Sequence, residues 1–257
     1  MGVIRDTLLK FGPAQRFDFW WRAQMKMFHK GEAEFHILRH IVDPNRNSVD
    51  VGAAKGIYSS WLQKYTKHVY AYEPNPENFR FLNYAKGNIT VTNCAISNKA
   101  GMASFRIEKI PGHKPRKSKR GEKFWYDNLG GSLRAEKIGS EYVEFQVETR
   151  RLDDENLENV GFMKIDVEGH EFEVLEGARR TLERNRSVML IEIEERHNGR
   201  PIAEALAEVE ALGYSGFAYT PDGLKSLAMF DTAKHCDARN YQDYYIFNFI
   251  FFPRKAA

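Results

Sequence analysis

The feature that most constrains the fold is an alternation that begins at Ser48, where short apolar runs are separated by stretches with helical periodicity. We predict strands at 48–54, 68–74, 88–97, 162–167 and 188–195, helices at 58–65, 76–85, 171–185 and 202–212, and closing strands at 214–220 and 244–252. Strands that alternate with helices indicate a parallel sheet with helices on both faces. The predicted fold class is therefore α/β, doubly wound, with seven strands in the sheet.

The predicted domain organisation is an N-terminal helical cap at 1–47 followed by one α/β domain at 48–257. Between 14 and 29 the sequence mixes aromatic side chains with charged ones, which favours a helical cap packed over one end of the sheet. The alternative is that these aromatic side chains form a surface that binds a membrane or a partner protein. An insertion at about 101–157 separates the third and fourth strands. Two of its segments alternate in strand fashion, so they extend the sheet or form a hairpin.

Composition excludes several classes of protein. Two cysteines make neither a disulfide framework nor a zinc site, and no apolar run reaches the roughly 18 residues that span a bilayer. We therefore expect a cytoplasmic protein without a transmembrane segment. The net charge of +3 comes from one segment, 113–123, which holds six Lys/Arg and one Glu; without that local +5 the remainder carries −2.

The strongest functional signal is the strand–turn–helix segment VDVGAAKG at 49–56. Gly52 permits a sharp turn, and Gly56 permits close approach of a ligand to the backbone. Glu73 follows Gly52 by 21 residues, the spacing at which an acidic residue binds ribose hydroxyls in nucleotide-binding folds. Asp50 would repel a pyrophosphate but suits a ligand with ammonium and sulfonium groups. The pattern therefore favours S-adenosylmethionine over NAD.

Four segments resemble, in order and spacing, the FkbM-type family of S-adenosylmethionine-dependent methyltransferases: VDVGAAKGIYS, YAYEPNP, NCAIS and FMKIDVEGHEFEVLEGA. The resemblance covers about 31–195, and the KIDVEGHE segment is its most specific part. It implies a seven-stranded methyltransferase fold and methyl transfer to hydroxyl oxygens of sugars or secondary metabolites. Where this chain has Ala54 the family commonly has Asn, which removes one hydrogen bond to the cofactor.

The resemblance also implies a role for individual residues. Asp50, Gly52, Ala53 and Gly56 would line the methionine moiety, Glu73 would hold the ribose, Pro74 and Asn75 would shape the adjoining turn, and Asn93, Cys94 and Ala95 would border the adenine. The predicted cofactor-binding set also includes Ala54, Tyr58, Ser59 and Asp166. Cys94 is expected to be an inert buried thiol, because methyl transfer needs no covalent enzyme intermediate.

The predicted catalytic residues are Asp166, Glu168 and His170, at the end of the fourth strand. Alternation places the two carboxylates on one side if the chain stays extended that far, and His170 takes a proton near neutral pH. The alternative for His170 is a helix N-terminal residue bonded to backbone. Glu192 is predicted to face the same cleft and contact the acceptor. Asp166, Glu168 and Glu192 could bind Mg²⁺, but no spacing demands it, so we predict no metal.

The remaining predicted acceptor contacts are Trp125, Tyr126, Asn128 and Ser132, which offer stacking and hydrogen bonds to a sugar. The Lys/Arg cluster at 113–123 suits an anionic acceptor, and a solvated loop is the simpler alternative. A nucleic-acid-binding module is the rival class, but the basic residues form one short cluster without interleaved aromatics, so no nucleic-acid partner is predicted. A cofactor-binding scaffold without activity, or an NAD-dependent enzyme, is the third alternative.

Overall fold

The structure is a computed structural model that describes residues 33–83, 85, 87–108, 116–117, 123–124, 131–134, 142–237 and 244–255. Its strands are β1 Asn47–Val51, β2 Val69–Tyr72, β3 Ile89–Thr92, β4 Ala95–Ile96, β5 Gly101–Glu108, β6 Arg116–Lys117, β7 Lys123–Phe124, β8 Gly131–Ser132, β9 Tyr142–Arg150, β10 Val160–Ile165, β11 Val188–Glu192, β12 Tyr214–Thr220, β13 Gly223–Ser226 and β14 Asn248–Pro253. The α-helices are α1 Leu38–Ile41, α2 Ile57–Leu62, α3 Pro76–Leu82, α4 Glu171–Gly177, α5 Arg179–Asn185, α6 Glu195–Asn198, α7 Ile202–Ala211 and α8 Thr232–His235. Short 3₁₀ helices lie at Ala33–His36, Leu152–Asp154 and Leu227–Met229.

The main sheet has the strand order β13-β12-β14-β11-β10-β1-β2-β3. The five strands β3, β2, β1, β10 and β11 run parallel to their neighbours, whereas β14 is antiparallel to both β11 and β12. Helices follow most of the parallel strands, as expected for a doubly wound α/β fold. The predicted fold class is confirmed. The strand β13, which pairs antiparallel with β12, is one strand more than the seven expected.

Helices cover the main sheet on both faces, and this explains the long apolar runs of its central strands. All six residues of β10 are buried, as expected for a parallel strand with helices on either side. On one face the core includes Val174, Leu182 and Leu206 from α4, α5 and α7. On the other face it includes residues of α1 and α2. The strand ends are therefore the part of the sheet open to a ligand.

Two predicted elements are wrong in extent because long-range contacts interrupt them. The predicted strand 88–97 is two strands: β3 joins the main sheet, and β4 pairs with β9 in a second sheet. The chain turns at Asn93, whose side-chain amide donates to the carbonyl oxygens of Glu73 and Pro74. The predicted helix 171–185 is α4 and α5, which meet at Ala178.

The insertion forms a sheet of its own, in the order β4-β9-β5-β8. Strands β5 and β9 pair antiparallel along their length, from Gly101 opposite Thr149 to Glu108 opposite Tyr142. Of the two arrangements that the sequence allows, the structure therefore has the hairpin rather than an extension of the main sheet. Outside it, β6 and β7 pair with each other.

The described part of the N-terminal region packs against the main sheet. The described end of the predicted helical cap is a 3₁₀ turn at Ala33–His36 followed by the short helix α1. The Phe35 ring stacks on Tyr58 with ring centroids 4.4 Å apart, and Leu38 is fully buried. Residues 1–32, with the aromatic run at 14–29, lie outside the described residues. Among those that are described, no helix has the length and apolarity to cross a bilayer.

Candidate active site

A cavity lies at the carboxyl ends of β1, β2 and β10, next to the point where the strand order reverses, as expected for ligands of doubly wound sheets. The predicted site residues that line it are Asp50, Gly52, Ala53, Ala54, Tyr58, Glu73, Pro74, Cys94, Ala95, Asp166, Glu168 and His170. The second sheet adds Phe105, Gly131 and Leu133. The cavity therefore brings together residues from both sheets and from all four segments that resemble the FkbM family.

The turn after β1 requires glycine at position 52. Gly52 has φ of +79°, and a Cβ atom on it would lie 1.8 Å from the carbonyl oxygen of Asp166. The amides of Gly52 and Ala53 both donate to the carbonyl oxygen of Tyr72, at 3.0 Å each. The turn is thus packed between β2 and β10, and its backbone reaches the cavity where a side chain would not fit.

Glu73 is held by two backbone amides at the end of β2. Its Oε2 accepts from the Ala54 amide at 2.6 Å and its Oε1 from the Asn75 amide at 2.8 Å. The Asn78 side chain also hydrogen-bonds to this carboxylate. A carboxylate has about four lone-pair positions, so one remains for a ligand. Burial raises the pKa of Glu73 to about 7, and the two amides oppose that shift. The arrangement fits a ribose hydroxyl that donates to the remaining position of this carboxylate.

Asp50 is the second buried carboxylate of this part of the cavity and is 1% exposed. Ser59 donates to its Oδ2 at 2.5 Å. Burial raises the pKa of Asp50 to about 6, while the bond from Ser59 and the ammonium of Lys164 oppose the shift. A cationic ligand would stabilise the ionised form further. Ser59 does not line the cavity, and it acts on it by holding Asp50.

Asn75 and Asn93 shape the turn that follows β2 instead of lining the cavity. The Asn75 side chain accepts from the Glu77 amide at 2.9 Å and so caps α3. Asn93 donates to the Glu73 carbonyl at 2.7 Å. Cys94 is fully buried, and burial raises the pKa of its thiol to about 12. The thiol is therefore protonated at neutral pH and a poor nucleophile.

At the end of β10, Asp166 and Glu168 have different partners. Asp166 Oδ2 lies 3.2 Å from Lys164 Nζ, and Glu168 Oε2 lies 3.1 Å from His197 Nδ1. Burial, followed by the negative charge of Asp166, raises the pKa of Glu168 to about 7. The extended chain considered from the sequence is wrong: β10 ends at Ile165, and Glu168 has φ of +55°. That left-handed residue turns the chain at the cavity, which Glu168 and His170 both line.

His170 begins α4 without capping it through its side chain. Its Nε2 lies 2.9 Å from Ser97 Oγ, and its Nδ1 lies 3.6 Å from Glu173 Oε2. Burial lowers the pKa of His170, with the Glu173 charge opposing. The alternative prediction was a histidine at the helix N-terminus with its side chain bonded to backbone. The position at the helix N-terminus is right, but the imidazole bonds to the Ser97 hydroxyl and not to a backbone group.

Ser132 joins the insertion to the turn that carries Glu168. Its hydroxyl donates to the Glu168 carbonyl at 2.9 Å and accepts from the Arg134 amide at 3.0 Å, and the residue is 4% exposed. The predicted contact of this hydroxyl with an acceptor is therefore replaced by bonds to the main chain. Trp125, Tyr126 and Asn128 lie outside the described residues, as does most of the basic segment 113–123.

The family model described as "Methyltransferase FkbM domain" matches residues 50–215. This chain belongs to the FkbM methyltransferase family. The match spans the turn at Gly52, the carboxylate at Glu73 and the Asp166–His170 segment. The main sheet around these residues has the Rossmann-like fold of S-adenosylmethionine-binding methyltransferases.

Three proteins to which this FkbM methyltransferase is similar share 11% to 29% of its sequence. It is 29% identical to "Methyltransferase sdnD" of Sordaria araneosa over 187 residues, which cover 62% of this chain and 71% of that protein. A solved methyltransferase FkbM from Methylobacillus flagellatus is similar with a TM-score of 0.49 and 17% identity, covering 82% of this chain but 44% of that one. A solved rRNA methylase from Streptococcus thermophilus has a TM-score of 0.47 and 11% identity, covering 86% of this chain and 95% of that one. This chain thus spans less than half of the solved FkbM protein.

The sequence analysis did not predict several residues of the FkbM methyltransferase site. Ser97 and His197 contact His170 and Glu168 from distant strands and helices, so no local spacing signals them. Phe105 lines the cavity from the insertion, where alternation predicts a strand but not its neighbours. Lys164 did leave a signal, because it is the charged residue of the otherwise apolar strand β10.

Acidic side chains at the ends of β10 and β11 lie close together. In the part of the chain that the structure describes, two sets of three residues have possible metal-ligand atoms within 4.8 Å of one another. One set is Asp166, Glu168 and Glu192, and the other is Glu192, Glu194 and His197. The first is the set considered above for Mg²⁺. Glu192 lies at the end of β11, beside Asp166 and Glu168, and it does not line the cavity.

Proposed function

We propose that this FkbM methyltransferase transfers a methyl group from S-adenosylmethionine to a hydroxyl oxygen of a sugar, a glycan or a secondary metabolite. The observation that carries the proposal is that one cavity is lined both by the carboxylate Glu73, held by two backbone amides, and by the carboxylate Glu168, beside a histidine. The first suits a ribose hydroxyl and the second suits a hydroxyl that loses its proton. Both groups face the same enclosed space.

The cofactor end of the cavity fits S-adenosylmethionine by the chemistry of its side chains. Glu73 has an accepting position left for a ribose hydroxyl, and Asp50 is a buried carboxylate suited to an ammonium group. When bound, the cofactor would supply a methyl group on a positively charged sulfur. Holding two reactants in line contributes about 7–11 kcal/mol to a transfer of this kind. Positioning by the cavity walls is therefore the larger part of the proposed catalysis.

Glu168 is the proposed general base among the three predicted catalytic residues. Asp166 is paired with the ammonium of Lys164, and His170 Nε2 is bonded to Ser97. Glu168 lines the cavity with them, and its pKa of about 7 is close to the value that suits a base at neutral pH. The acceptor hydroxyl donates its proton to a Glu168 carboxylate oxygen, and His197 Nδ1 holds that carboxylate in place. His170 and Asp166 orient the acceptor.

The acceptor end of the cavity combines an apolar wall with these acidic groups. Phe105 and Leu133 of the second sheet face the cavity that Glu168 and His170 also line. Such a wall suits the carbon skeleton of a sugar or a metabolite ring. We propose that the basic segment 113–123 favours acceptors with a negative charge, and that nucleic acid is not an acceptor.

The proposed reaction uses no metal ion, since Glu168 supplies the base and the cavity supplies the placement. The three carboxylates Asp166, Glu168 and Glu192 make this part of the proposal testable. Transfer rates with EDTA and with added Mg²⁺ are expected to agree within about twofold. A loss of activity in EDTA that Mg²⁺ restores would show that the acidic group binds the metal.

The test is a methyl-transfer assay over a panel of sugar, glycan and polyketide hydroxyl acceptors, with an oligonucleotide as the nucleic-acid arm. Replacement Glu168→Gln keeps the size of the side chain and removes the base. It is expected to lower kcat by about 10²–10⁴-fold and to leave the affinity for S-adenosylhomocysteine within about twofold. The matched control is Glu176→Gln on the exposed side of α4, with unchanged kcat. Methylation of the oligonucleotide alone, or full activity of the Glu168 variant, would contradict the proposal.

A further inference from the structure

Ser132 has a buried hydroxyl that the proposed reaction does not use. The residue is 4% exposed, and its hydroxyl donates to the carbonyl oxygen of Glu168 at 2.9 Å. A hydroxyl has one hydrogen to donate, and the oxygen of this one also accepts from the Arg134 amide at 3.0 Å. Ser132 belongs to β8 in the second sheet, whereas Glu168 follows β10 of the main sheet. The bond therefore joins the insertion to the turn that carries the proposed base.

The insertion holds β8, and with it Ser132, against the wall of the cavity. Strand β8 pairs antiparallel with β5, with Gly131 opposite Ile107. A Cβ atom on Gly131 would lie 2.4 Å from the Phe105 ring, so the backbone of β8 lies directly on that ring. Gly131 and Phe105 both line the cavity. Ser132 thus has a fixed place relative to the surface proposed to contact the acceptor.

At the other end of the bond, Glu168 lies in a turn that depends on its surroundings. Glu168 and Gly169 have φ of +55° and +96°, so two consecutive residues are left-handed. This conformation is ordinary for glycine but uncommon for a glutamate, and contacts with other segments have to maintain it. The Ser132 hydroxyl bonds to the peptide group between these two residues. Loss of that bond would free the backbone next to the carboxylate that lines the cavity.

The carboxylate of Glu168 can act as a base only where it reaches the acceptor hydroxyl. General-base catalysis requires hydrogen-bond distance, and a displacement of about 1 Å can lower a rate about 10²-fold. We propose that Ser132 is a positioning residue, which holds the Glu168 main chain so that the carboxylate meets the acceptor hydroxyl. The inference rests on the proposed function, in which Glu168 is the general base. It adds that the insertion, which forms a wall of the acceptor end, also places that base.

A double-mutant cycle with Ser132→Ala and Glu168→Gln tests the proposal. The assay uses the sugar, glycan or polyketide of the panel above that the unmodified chain methylates. Ser132→Ala is expected to lower kcat about 10- to 100-fold and to leave the acceptor KM and the affinity for S-adenosylhomocysteine within about twofold. In the Glu168→Gln background the same replacement is expected to change kcat by less than about twofold, because no base remains to be placed.

The matched control is Ser104→Ala on β5, where the hydroxyl bonds to the side chains of Glu144 and Gln146. This control is expected to leave kcat unchanged. An equal loss of kcat from Ser132→Ala in both backgrounds would mean a general effect on the fold and would overturn the inference. An unchanged kcat in the single Ser132 variant would overturn it as well.

Hydrogen exchange separates a failure of this inference from a failure of the proposed function. Ser132→Ala is expected to speed the exchange of amides 167–171 about tenfold, and to leave those of the Gly52 turn unchanged. Unchanged exchange at 167–171 would overturn the inference even if methyl transfer is observed. If exchange changes as expected but the unmodified chain methylates no acceptor, the proposed function fails, and the catalytic role of Ser132 fails with it.

Discussion

At the scale of single residues, the cofactor end of the cavity depends on two carboxylates that are buried before any ligand arrives. Glu73 and Asp50 both have a raised pKa because they are removed from water. Each has protein partners that hold it in place: backbone amides for Glu73, and Ser59 with the charge of Lys164 for Asp50. A ligand with a ribose hydroxyl and an ammonium group adds further interactions, so binding and ionisation of these two groups are coupled.

Ala54 is a second residue-scale feature, because it has φ of +48° without being glycine or asparagine. A left-handed conformation costs an L-residue with a Cβ atom about 1 kcal/mol. The replacement Ala54→Gly is therefore expected to stabilise the protein by about 1 kcal/mol, which raises Tm by roughly 2–4 °C for a domain of this size. Thermal unfolding measures the shift.

The control is Ala207→Gly in the middle of α7, an exposed position in an ordinary helix. It is expected to destabilise the protein by about 1 kcal/mol. A decrease in Tm for the position 54 variant, like that of the control, would show that Ala54 is not strained.

At the scale of elements, the break between α4 and α5 depends on how closely α4 approaches the second sheet. A Cβ atom on Gly177 would lie 2.0 Å from the carbonyl oxygen of Ser97. The replacement Gly177→Ala must push α4 away from β4, so we expect a loss of about 1–3 kcal/mol in the free energy of unfolding. Denaturant titration measures it.

Gly199 is the matched control for this prediction. It has φ of +64°, and a Cβ atom on it would meet nothing within 4 Å. Gly199→Ala is expected to cost about 1 kcal/mol, from backbone conformation alone. If Gly177→Ala is no more destabilising than the control, the close contact with Ser97 does not determine the helix break.

The elements also show how far sequence reasoning reaches. The apolar runs of β1, β10 and β11 predicted the central strands, because burial on both faces leaves a local signal. The sequence alone could not assign β4, within the predicted strand 88–97, to a second sheet, because its partner β9 is distant along the chain. The end of the helix at Gly177 depends likewise on a carbonyl group from another segment.

The residues of the candidate site likewise fall into those with a local sequence signal and those whose contacts depend on the fold. Gly52 and Glu73 were found because a turn and a spacing define them. The contacts of Lys164 with Asp166, of Glu168 with His197 and of Ser97 with His170 join residues whose pairing depends on the folded chain. Asp166 and Glu168 do line one cavity, but the extended backbone expected between them was wrong, because alternation does not reveal where a strand ends.

At the scale of the whole molecule, the buried carboxylates make stability depend on pH. The folded-state pKa of Glu73 is about 7, above its ordinary value of 4.5, so the folded protein binds this proton more tightly than the unfolded chain does. Its contribution is therefore most favourable below about pH 4.5 and is lost as the pH rises to about 7. The full change is on the order of 3 kcal/mol.

The variant Glu73→Gln cannot ionise at this position and isolates the effect. The difference in free energy of unfolding between the variant and the unmodified protein is expected to move in favour of the variant as pH rises from about 4.5 to 7. Urea denaturation at several pH values measures it. A difference that stays flat, or that changes in the opposite direction, would show that Glu73 is not a buried ionisable group.

The central claim is that the cavity between β1, β2 and β10 binds an adenosyl amino acid through Glu73. Isothermal titration calorimetry with S-adenosylhomocysteine and with NAD, on the unmodified chain and on Glu73→Gln, tests it most directly. The account predicts binding of S-adenosylhomocysteine, no binding of NAD, and an affinity about 10- to 100-fold weaker in the variant. Absence of heat with S-adenosylhomocysteine, or an affinity that the replacement leaves unchanged, would contradict it.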